Sequence, residues 1–118
     1  MKKQDVVCAL SALAQASRLA IYRLLVKRGP QGFTPGDIAE KLAVPAPTLS
    51  FHLKELQRAG LLKVRRDGRR LFYSPDFENM NELIYFLKDN CCSLADKDCV
   101  PACAPAISAR AERNERRA

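Results

Sequence analysis

The sequence lacks several features that would place it in other classes of protein. It has no tryptophan, a single histidine, and no apolar run near the roughly 20 residues that a bilayer-spanning helix needs. Residues 1–5 lead into an amphipathic stretch and not into the apolar run of a secretory signal. We therefore expect a cytoplasmic protein without a membrane partner. In a reducing compartment its five cysteines are expected to be thiols and not a disulfide framework.

The length of 118 residues suffices for one domain with its own apolar core and for little more. A hydrophobic content of 47% is typical of a globular chain and not of a disordered one. The sequence contains no Cys-x₅-Arg phosphate loop, which argues against a thiol-based phosphatase or reductase. Because no room is left for a separate catalytic domain, we expect that the protein is not an enzyme.

The positive charge is concentrated in the middle of the sequence. The chain has 20 Lys and Arg against 13 Asp and Glu, a net charge of +7. Residues 41–74 hold eight basic and two acidic residues, whereas residues 75–98 hold two basic and six acidic ones. The basic segment favours an anionic partner, with nucleic acid as the first candidate. The acidic segment is expected to point away from that partner.

Apolar periodicity and capping residues predict five helices. The first helix covers residues 5–15, and the second runs from Ser17 until Gly29-Pro30 ends it. The third begins at the capping box Thr34–Asp37. The fourth covers residues 48–59, and the fifth runs from Pro75 to about Asn90. The first helix is expected to bury a stripe formed by Val6, Val7, Leu10, Leu13 and Ala14, with Cys8 as a small residue inside it. The fourth helix is expected to bury Leu49, Leu53 and Leu56.

A β-hairpin is predicted between the fourth and fifth helices. Its strands cover residues 61–66 and 69–74 and are joined by Asp67-Gly68, a pair that favours a tight turn with two positive φ angles. The resulting order is α-α-α-α-β-β-α. A short turn between the third and fourth helices, followed by a basic hairpin, predicts a mainly α winged helix-turn-helix fold.

Candidate DNA contacts lie on the fourth helix and on the hairpin, or wing. Hydroxyl and imidazole groups can hydrogen-bond to base edges, and a Lys suits a phosphate. Guanidinium groups crowded at a hairpin tip repel one another until an anion binds them. The candidates are Pro47, Thr48, Ser50, Phe51, His52 and Lys54 on the helix and Arg65, Arg66, Arg69 and Arg70 on the wing. An ordinary solvated helix and hairpin is the simpler alternative, but it does not explain why the charge is confined to these two elements.

Specific motifs in this region resemble the ArsR/SmtB family of metal-responsive winged-helix repressors. They are Pro47–Leu56, Ala59–Leu62 and the Arg-rich wing ending in Leu71-Phe72-Tyr73. Leu13–Leu19 is similar to the family's stretch between its first two helices, and the resemblance extends over residues 5–92. It implies a homodimer paired through the first and last helices and two recognition helices in successive major grooves. It also implies that an operator DNA is released when an inducer binds.

Four cysteines follow the fifth helix within 13 residues, namely Cys91, Cys92, Cys99 and Cys103. Clustered thiolates select soft ions such as zinc, copper(I), and trivalent arsenic or antimony. The spacing does not match the paired Cys-x₂-Cys knuckles of a zinc ribbon. The adjacent pair is expected to suit a pyramidal centre better than a tetrahedral one, because chelation of a tetrahedral ion would strain the backbone.

The family resemblance narrows the choice of inducer. The Cys-x-Cys motif of the founding arsenic-responsive members is absent from residues 34–44, and the single histidine, His52, leaves no His-based zinc site on the last helix. Asn90-Cys91-Cys92 resembles the subset in which Asn-Cys-Cys and a later cysteine bind trivalent arsenicals. Cys99 and Cys103 are both candidates for the third ligand. Arsenite, antimonite and a methylated arsenical all stay open as inducers.

We therefore expect residues 1–90 to bind DNA and dimerise, and residues 91–118 to form the inducer-binding segment and a flexible tail. The predicted function is transcriptional repression relieved by trivalent arsenic or antimony. Two alternatives stay open. One is a repressor that responds to thiol oxidation, in which Cys92 pairs with Cys99 or Cys103. The other is a metalloid-sequestering thiol protein whose basic face is incidental.

Overall fold

The computed structural model describes residues 1–95. The elements are α1 (Lys3–Leu13), α2 (Ala16–Arg28), α3 (Pro35–Leu42), α4 (Ala46–Arg58), β1 (Leu62–Asp67), β2 (Arg70–Pro75) and α5 (Phe77–Lys88). The chain divides into two compact units, residues 1–87 and 88–118. The order confirms the predicted winged helix-turn-helix, and each element lies within one to three residues of its predicted bounds. Within residues 1–95 no helix has the length and apolar character needed to cross a bilayer.

The helix starts follow local capping chemistry. Thr34 caps α3, its hydroxyl accepting from the Asp37 backbone N–H at 3.2 Å, with Pro35 in the first turn as predicted. The predicted Ser17 cap of α2 is wrong, because the Gln15 side chain accepts from the Arg18 backbone N–H at 2.8 Å and the helix begins at Ala16.

The wing is an antiparallel pair with Asp67 opposite Arg70. Its turn is therefore formed by Gly68 and Arg69, one residue later than predicted. Gly68 has a φ of 65°, and neither Asp67 nor Arg69 has a positive φ. A glycine at the first central position is typical of a type II′ turn, so the expectation of two positive φ angles is wrong.

The core of the first unit is formed by α1, α2, α3, α4, the base of the wing and one residue of α5. Its buried apolar residues are Val6, Ala9, Ala12, Ile21, Tyr22, Leu25, Ile38, Leu49, Leu53, Leu56, Leu61, Leu62 and Leu83. The three leucines predicted for α4 are thus buried. They lie at helical spacings of three and four residues, so that one face of α4 is fixed against the core.

The predicted stripe of α1 is only partly correct. Val6 is buried, but Val7 and Leu10 are exposed, and Cys8, expected inside the stripe, is exposed as well. Ala9 and Ala12 take the inner positions, where α1 packs against α2 and α4. Small side chains allow this close approach, and the bulkier apolar face of α1 is consequently left on the surface.

The start of α5 is tied to the end of α4. The Asp76 carboxylate accepts from the Asn79 backbone N–H at 3.1 Å, and the Asn79 side-chain amide donates to the Gly60 carbonyl at 2.8 Å. Gly60 has a φ of 81°, which glycine adopts without steric cost. These contacts fix where α5 begins, although it buries only Leu83.

Candidate nucleic-acid interface

The recognition-helix candidate α4 presents a polar and basic outer face. Pro47, Thr48, Ser50 and Lys54 are exposed. Phe51 is 55% exposed despite its apolar ring. Because the opposite face carries the buried leucines, these five side chains are held outward by packing and do not depend on loop conformation.

His52 does not lie on this outer face. Its polarity predicts a place beside Thr48 and Ser50, but it is only 6% exposed and lies on the core side of α4. Its Nδ1 accepts a hydrogen bond from Arg18 Nε at 3.2 Å. A buried ring whose Nδ1 is already bonded is not part of the exposed face of α4, so the predicted placement of His52 on that face is wrong. The physical reason is its position one residue before Leu53 and three after Leu49, inside the buried stripe.

Arg18 is a residue that sequence reasoning missed. Besides its bond to His52, its guanidinium carbon lies 5.5 Å from the centroid of the Phe51 ring. One side chain of α2 thus contacts a buried and an exposed residue of α4. A signal was present in the sequence, because a cation in the first turn of a helix opposes the helix dipole and calls for another partner.

The four wing arginines are all exposed but differ in their contacts. Arg65 Nη2 donates to the Gln31 carbonyl at 3.0 Å, and its guanidinium carbon lies 4.6 Å from the Phe72 ring centroid. Arg65 also approaches Asp67, with 4.0 Å between Nη1 and Oδ2. Within residues 1–95, the other three form no ion pair or side-chain hydrogen bond: Arg66, Arg69 and Arg70. These three cations are the ones available to an anion.

The base of the wing is anchored to the loop between α2 and α3. Phe33 and Tyr73 exchange two backbone hydrogen bonds of 3.0 and 2.9 Å. The guanidinium carbon of Arg28 lies 5.1 Å from the centroid of the Phe33 ring, and the Nζ atom of Lys41 lies 5.3 Å from it. The anchor therefore lies inside a basic surface and holds the wing in a fixed relation to the helix-turn-helix.

The candidate inducer cysteines lie in the second unit. Cys91 is exposed, Cys92 is half-buried, and their Sγ atoms are 3.7 Å apart. Bonds of about 2.3 Å from both sulfurs to one ion would close an angle of roughly 107°, near the tetrahedral value. The expectation that adjacent cysteines disfavour a tetrahedral ion is thus not supported by this geometry. Asn90 and Cys92, on either side of Cys91, adopt positive φ angles of 60° and 64°.

Cys99 and Cys103, the two candidates for a third ligand, lie outside the described residues. Within residues 1–95, no group of three or more His, Cys, Asp or Glu side chains could hold a metal ion. The described part of the chain therefore brings together two thiols, those of Cys91 and Cys92.

Comparison with known proteins supports a regulatory role. A family model described as a helix-turn-helix domain matches residues 13–65. The regulator KmtR of Mycobacterium tuberculosis is 34% identical over 79 residues, which cover 67% of this chain and 58% of KmtR. The uncharacterised HTH-type regulator MJ1325 of Methanocaldococcus jannaschii is 34% identical over 73 residues, covering 62% of this chain and 80% of that protein. The CadC homolog of Staphylococcus aureus, a cadmium resistance transcriptional regulatory protein, is 30% identical over 80 residues, which cover 68% of this chain and 64% of the CadC homolog. The chain thus spans less than two thirds of KmtR and of the CadC homolog.

Solved structures share the architecture. An ArsR-like transcriptional regulator from Rhodococcus sp. RHA1 superposes with a TM-score of 0.64 at 24% identity, covering 72% of this chain and 77% of that one. The homodimeric winged helix-turn-helix domain of Mb0332 from Mycobacterium bovis, a possible ArsR-family regulator, has a TM-score of 0.58 at 25% identity, covering 81% and 89%. The relatives are transcriptional regulators and not enzymes, in agreement with the prediction.

Proposed function

The chain belongs to the HTH-type transcriptional regulators. From this premise we propose that it is a homodimeric repressor of the ArsR/SmtB type, whose operator DNA is released when trivalent arsenic or antimony binds its C-terminal cysteines. The observation that carries the inducer is the adjacent pair Cys91 and Cys92, with 3.7 Å between the sulfurs. Soft thiolates brought this close favour a soft, thiophilic ion over a hard one.

DNA binding uses the outer face of α4 and the tip of the wing. Thr48 and Ser50 offer hydroxyls to base edges, and Lys54 offers a cation to a phosphate. The unpaired guanidinium groups of Arg66, Arg69 and Arg70 bind phosphates or the minor groove beside the site. Arg65 and Pro47 complete the contact surface at its edges. His52 supports α4 from within and does not touch DNA.

Dimerisation uses the apolar surface of α1 and α5. Val7 and Leu10 of α1 are 53% and 41% exposed, and Tyr85 and Leu87 of α5 are 71% and 58% exposed. Exposed apolar residues at this density favour a protein partner. A second copy is that partner, as in the homodimeric Mb0332. Two recognition helices then enter successive major grooves.

The sensing segment follows α5 directly in the chain. We assign DNA binding and dimerisation to residues 1–90 and inducer binding to residues 91–118, with Cys99 or Cys103 as a third ligand. The separation of the chain into compact units at residues 87 and 88 supports this division. The cadmium resistance named for the CadC homolog supports a soft ion as the class of inducer.

The test measures DNA affinity with and without the inducer. A duplex selected from a random pool is titrated with the full chain and read by fluorescence anisotropy. We expect arsenite or methylarsenite to weaken binding about 5- to 150-fold, the range of an allosteric coupling of about 1–3 kcal/mol. The variant with Cys91→Ser and Cys92→Ser should bind DNA as the wild type does and should not respond.

Cys8→Ser is the matched control, since Cys8 is also an exposed cysteine but lies on α1. It should respond like the wild type. Unchanged affinity in arsenite, or a response that survives removal of both Cys91 and Cys92, contradicts the proposed inducer. Release by peroxide in metal-free buffer, without release by arsenite, would favour the oxidation-responsive alternative instead.

A further inference from the structure

Phe51 is an aromatic side chain on the outer face of α4, where its exposed neighbours include the polar and basic residues Ser50 and Lys54. In α4, all of which the structure describes, it is the one exposed large apolar residue, with 55% of its surface accessible. Pro47 and Lys54 lie four residues before and three residues after it, so that the three share one face of the helix. The core does not require an aromatic ring at this place, and the ring is surrounded by groups suited to DNA.

Arg18 fixes the ring from the side. Its Nε donates to the buried His52 Nδ1 at 3.2 Å, and its guanidinium carbon lies 5.5 Å from the Phe51 centroid. Arg18 extends from α2, which is anchored in the core by Ile21 and Leu25. Because the guanidinium is planar and is itself held by a hydrogen bond, its contact with the ring restricts the rotation of the Phe51 side chain more than contact with water would.

We infer that Phe51 reads the 5-methyl group of a thymine in the major groove and that Arg18 is the residue that positions it. This inference rests on the proposed DNA binding and gives it a specific base. Thymine is the only DNA base that carries a methyl group in the major groove, and an aromatic ring contacts it without a hydrogen bond. The basic residue beside the ring, Lys54, favours nucleic acid as the occupant over an apolar protein surface.

The experiment compares thymine with deoxyuracil, which lacks only the methyl group. The full chain first selects a duplex from a random pool, and each thymine of the selected site is then replaced singly. For the wild type we expect at least one replacement to weaken binding about three- to five-fold, the loss of one methyl-sized apolar contact. In Phe51→Ala that difference should vanish, while Phe51→Leu should retain part of it.

Arg18→Ala tests the positioning role. We expect the ratio of affinities for thymine and deoxyuracil to fall towards one, whereas a purely structural loss would weaken binding to both duplexes equally. Gln57→Ala, at an exposed residue of the same helix with no assigned contact to DNA, serves as the matched control and should keep the ratio. Thermal melting of each variant shows that the comparison is made on folded protein.

The outcomes separate the inference from the proposed function. If no replacement matters for the wild type, or if the effect persists in Phe51→Ala, the thymine contact is wrong although the protein still binds its selected site. If the random pool yields no preferred duplex at all, the proposed sequence-specific repression fails before Phe51 is tested.

Discussion

The recognition helix and the wing both offer exposed polar or basic groups, but they are held in place differently. α4 buries four of its thirteen residues, namely Leu49, His52, Leu53 and Leu56. The wing is buried only at its base, where Leu62 of β1 is paired with Pro75 of β2. Four inward anchors therefore fix the direction of every outward side chain of α4. The tip of the wing has no such anchor in the described structure.

This difference separates two kinds of contact with DNA. Reading a base edge requires donors and acceptors at fixed positions, which a helix packed on a core provides. Phosphate attraction acts through charge and tolerates movement, so an unanchored tip with three unpaired arginines is sufficient. We therefore expect α4 to carry the sequence preference and the wing to carry affinity that depends on salt.

The anchoring of α4 is tested most strongly by Leu56→Ala. Leu56 is fully buried in the cluster beneath the helix. We expect the free energy of unfolding to fall by about 2–5 kcal/mol, because the substitution removes apolar contacts and leaves a cavity. Urea unfolding followed by circular dichroism measures it.

Leu71→Ala is the control on the wing. Leu71 is 38% exposed, so its truncation should change the unfolding free energy by less than about 1 kcal/mol. Equal losses for the two variants would mean that the wing is packed as firmly as α4, and the comparison would fail.

The sequence allowed the order of elements to be predicted because each boundary has a local chemical signal. The Thr34 cap, the glycine at the wing turn and the leucine spacing of α4 act over a few residues and can be read without knowledge of the tertiary structure. The rotation of α1 could not be read in this way. Val7 and Ala9 compete for the inner face, and only the close approach to α2 and α4 decides for the alanine.

In the candidate site, too, the features that depend on local spacing could be predicted from the sequence. Helical spacing correctly predicts that Thr48, Ser50 and Lys54 are exposed. His52 has a polar side chain, which favours exposure, but its position in the leucine stripe of α4 buries it. The partner that satisfies its Nδ1, Arg18, lies 34 residues away and cannot be read from local sequence. The unequal pairing of the wing arginines also depends on long-range contacts, since Arg65 reaches Gln31.

The anchor at the base of the wing is tested by Gly32→Ala. A Cβ at Gly32, where φ is 77°, would lie 2.5 Å from the Tyr73 carbonyl oxygen. We expect a loss of about 2–4 kcal/mol, combining the cost of a left-handed alanine with a backbone clash. The control is Gly68→Ala, where φ is 65° and nothing lies within 4 Å, so only the conformational cost of about 1–2 kcal/mol applies. Should the two variants unfold at the same urea concentration, the Phe33–Tyr73 contact is not a tight anchor.

The charge of the wing tip is tested by replacing Arg66, Arg69 and Arg70 together with alanine. All three are exposed and unpaired, so their loss should change thermal stability little. We expect the slope of log K against log salt to become less steep by up to about 3, since each phosphate contact contributes about 0.9. Affinity should fall for all duplexes alike. A change in sequence preference without a change in slope would assign base reading to the wing.

Arg65→Ala is expected to give the smallest effect of these variants. Arg65 carries the same charge as the other wing arginines, but its guanidinium already has partners within the protein. Its guanidinium is held by the Gln31 carbonyl at 3.0 Å and by the Phe72 ring at 4.6 Å. We expect the salt slope to change by less than that of Arg66→Ala, which should shift it by about 1. Unfolding should instead become easier by about 0.5–1.5 kcal/mol through the lost hydrogen bond and ring contact. Anisotropy across a salt series and urea unfolding of both single variants give the two numbers. Suppose instead that Arg65→Ala flattens the salt slope as much as Arg66→Ala and leaves the unfolding free energy unchanged. Arg65 would then give up its contacts with Gln31 and Phe72 when DNA binds, and it would contribute to DNA binding as the other wing arginines do.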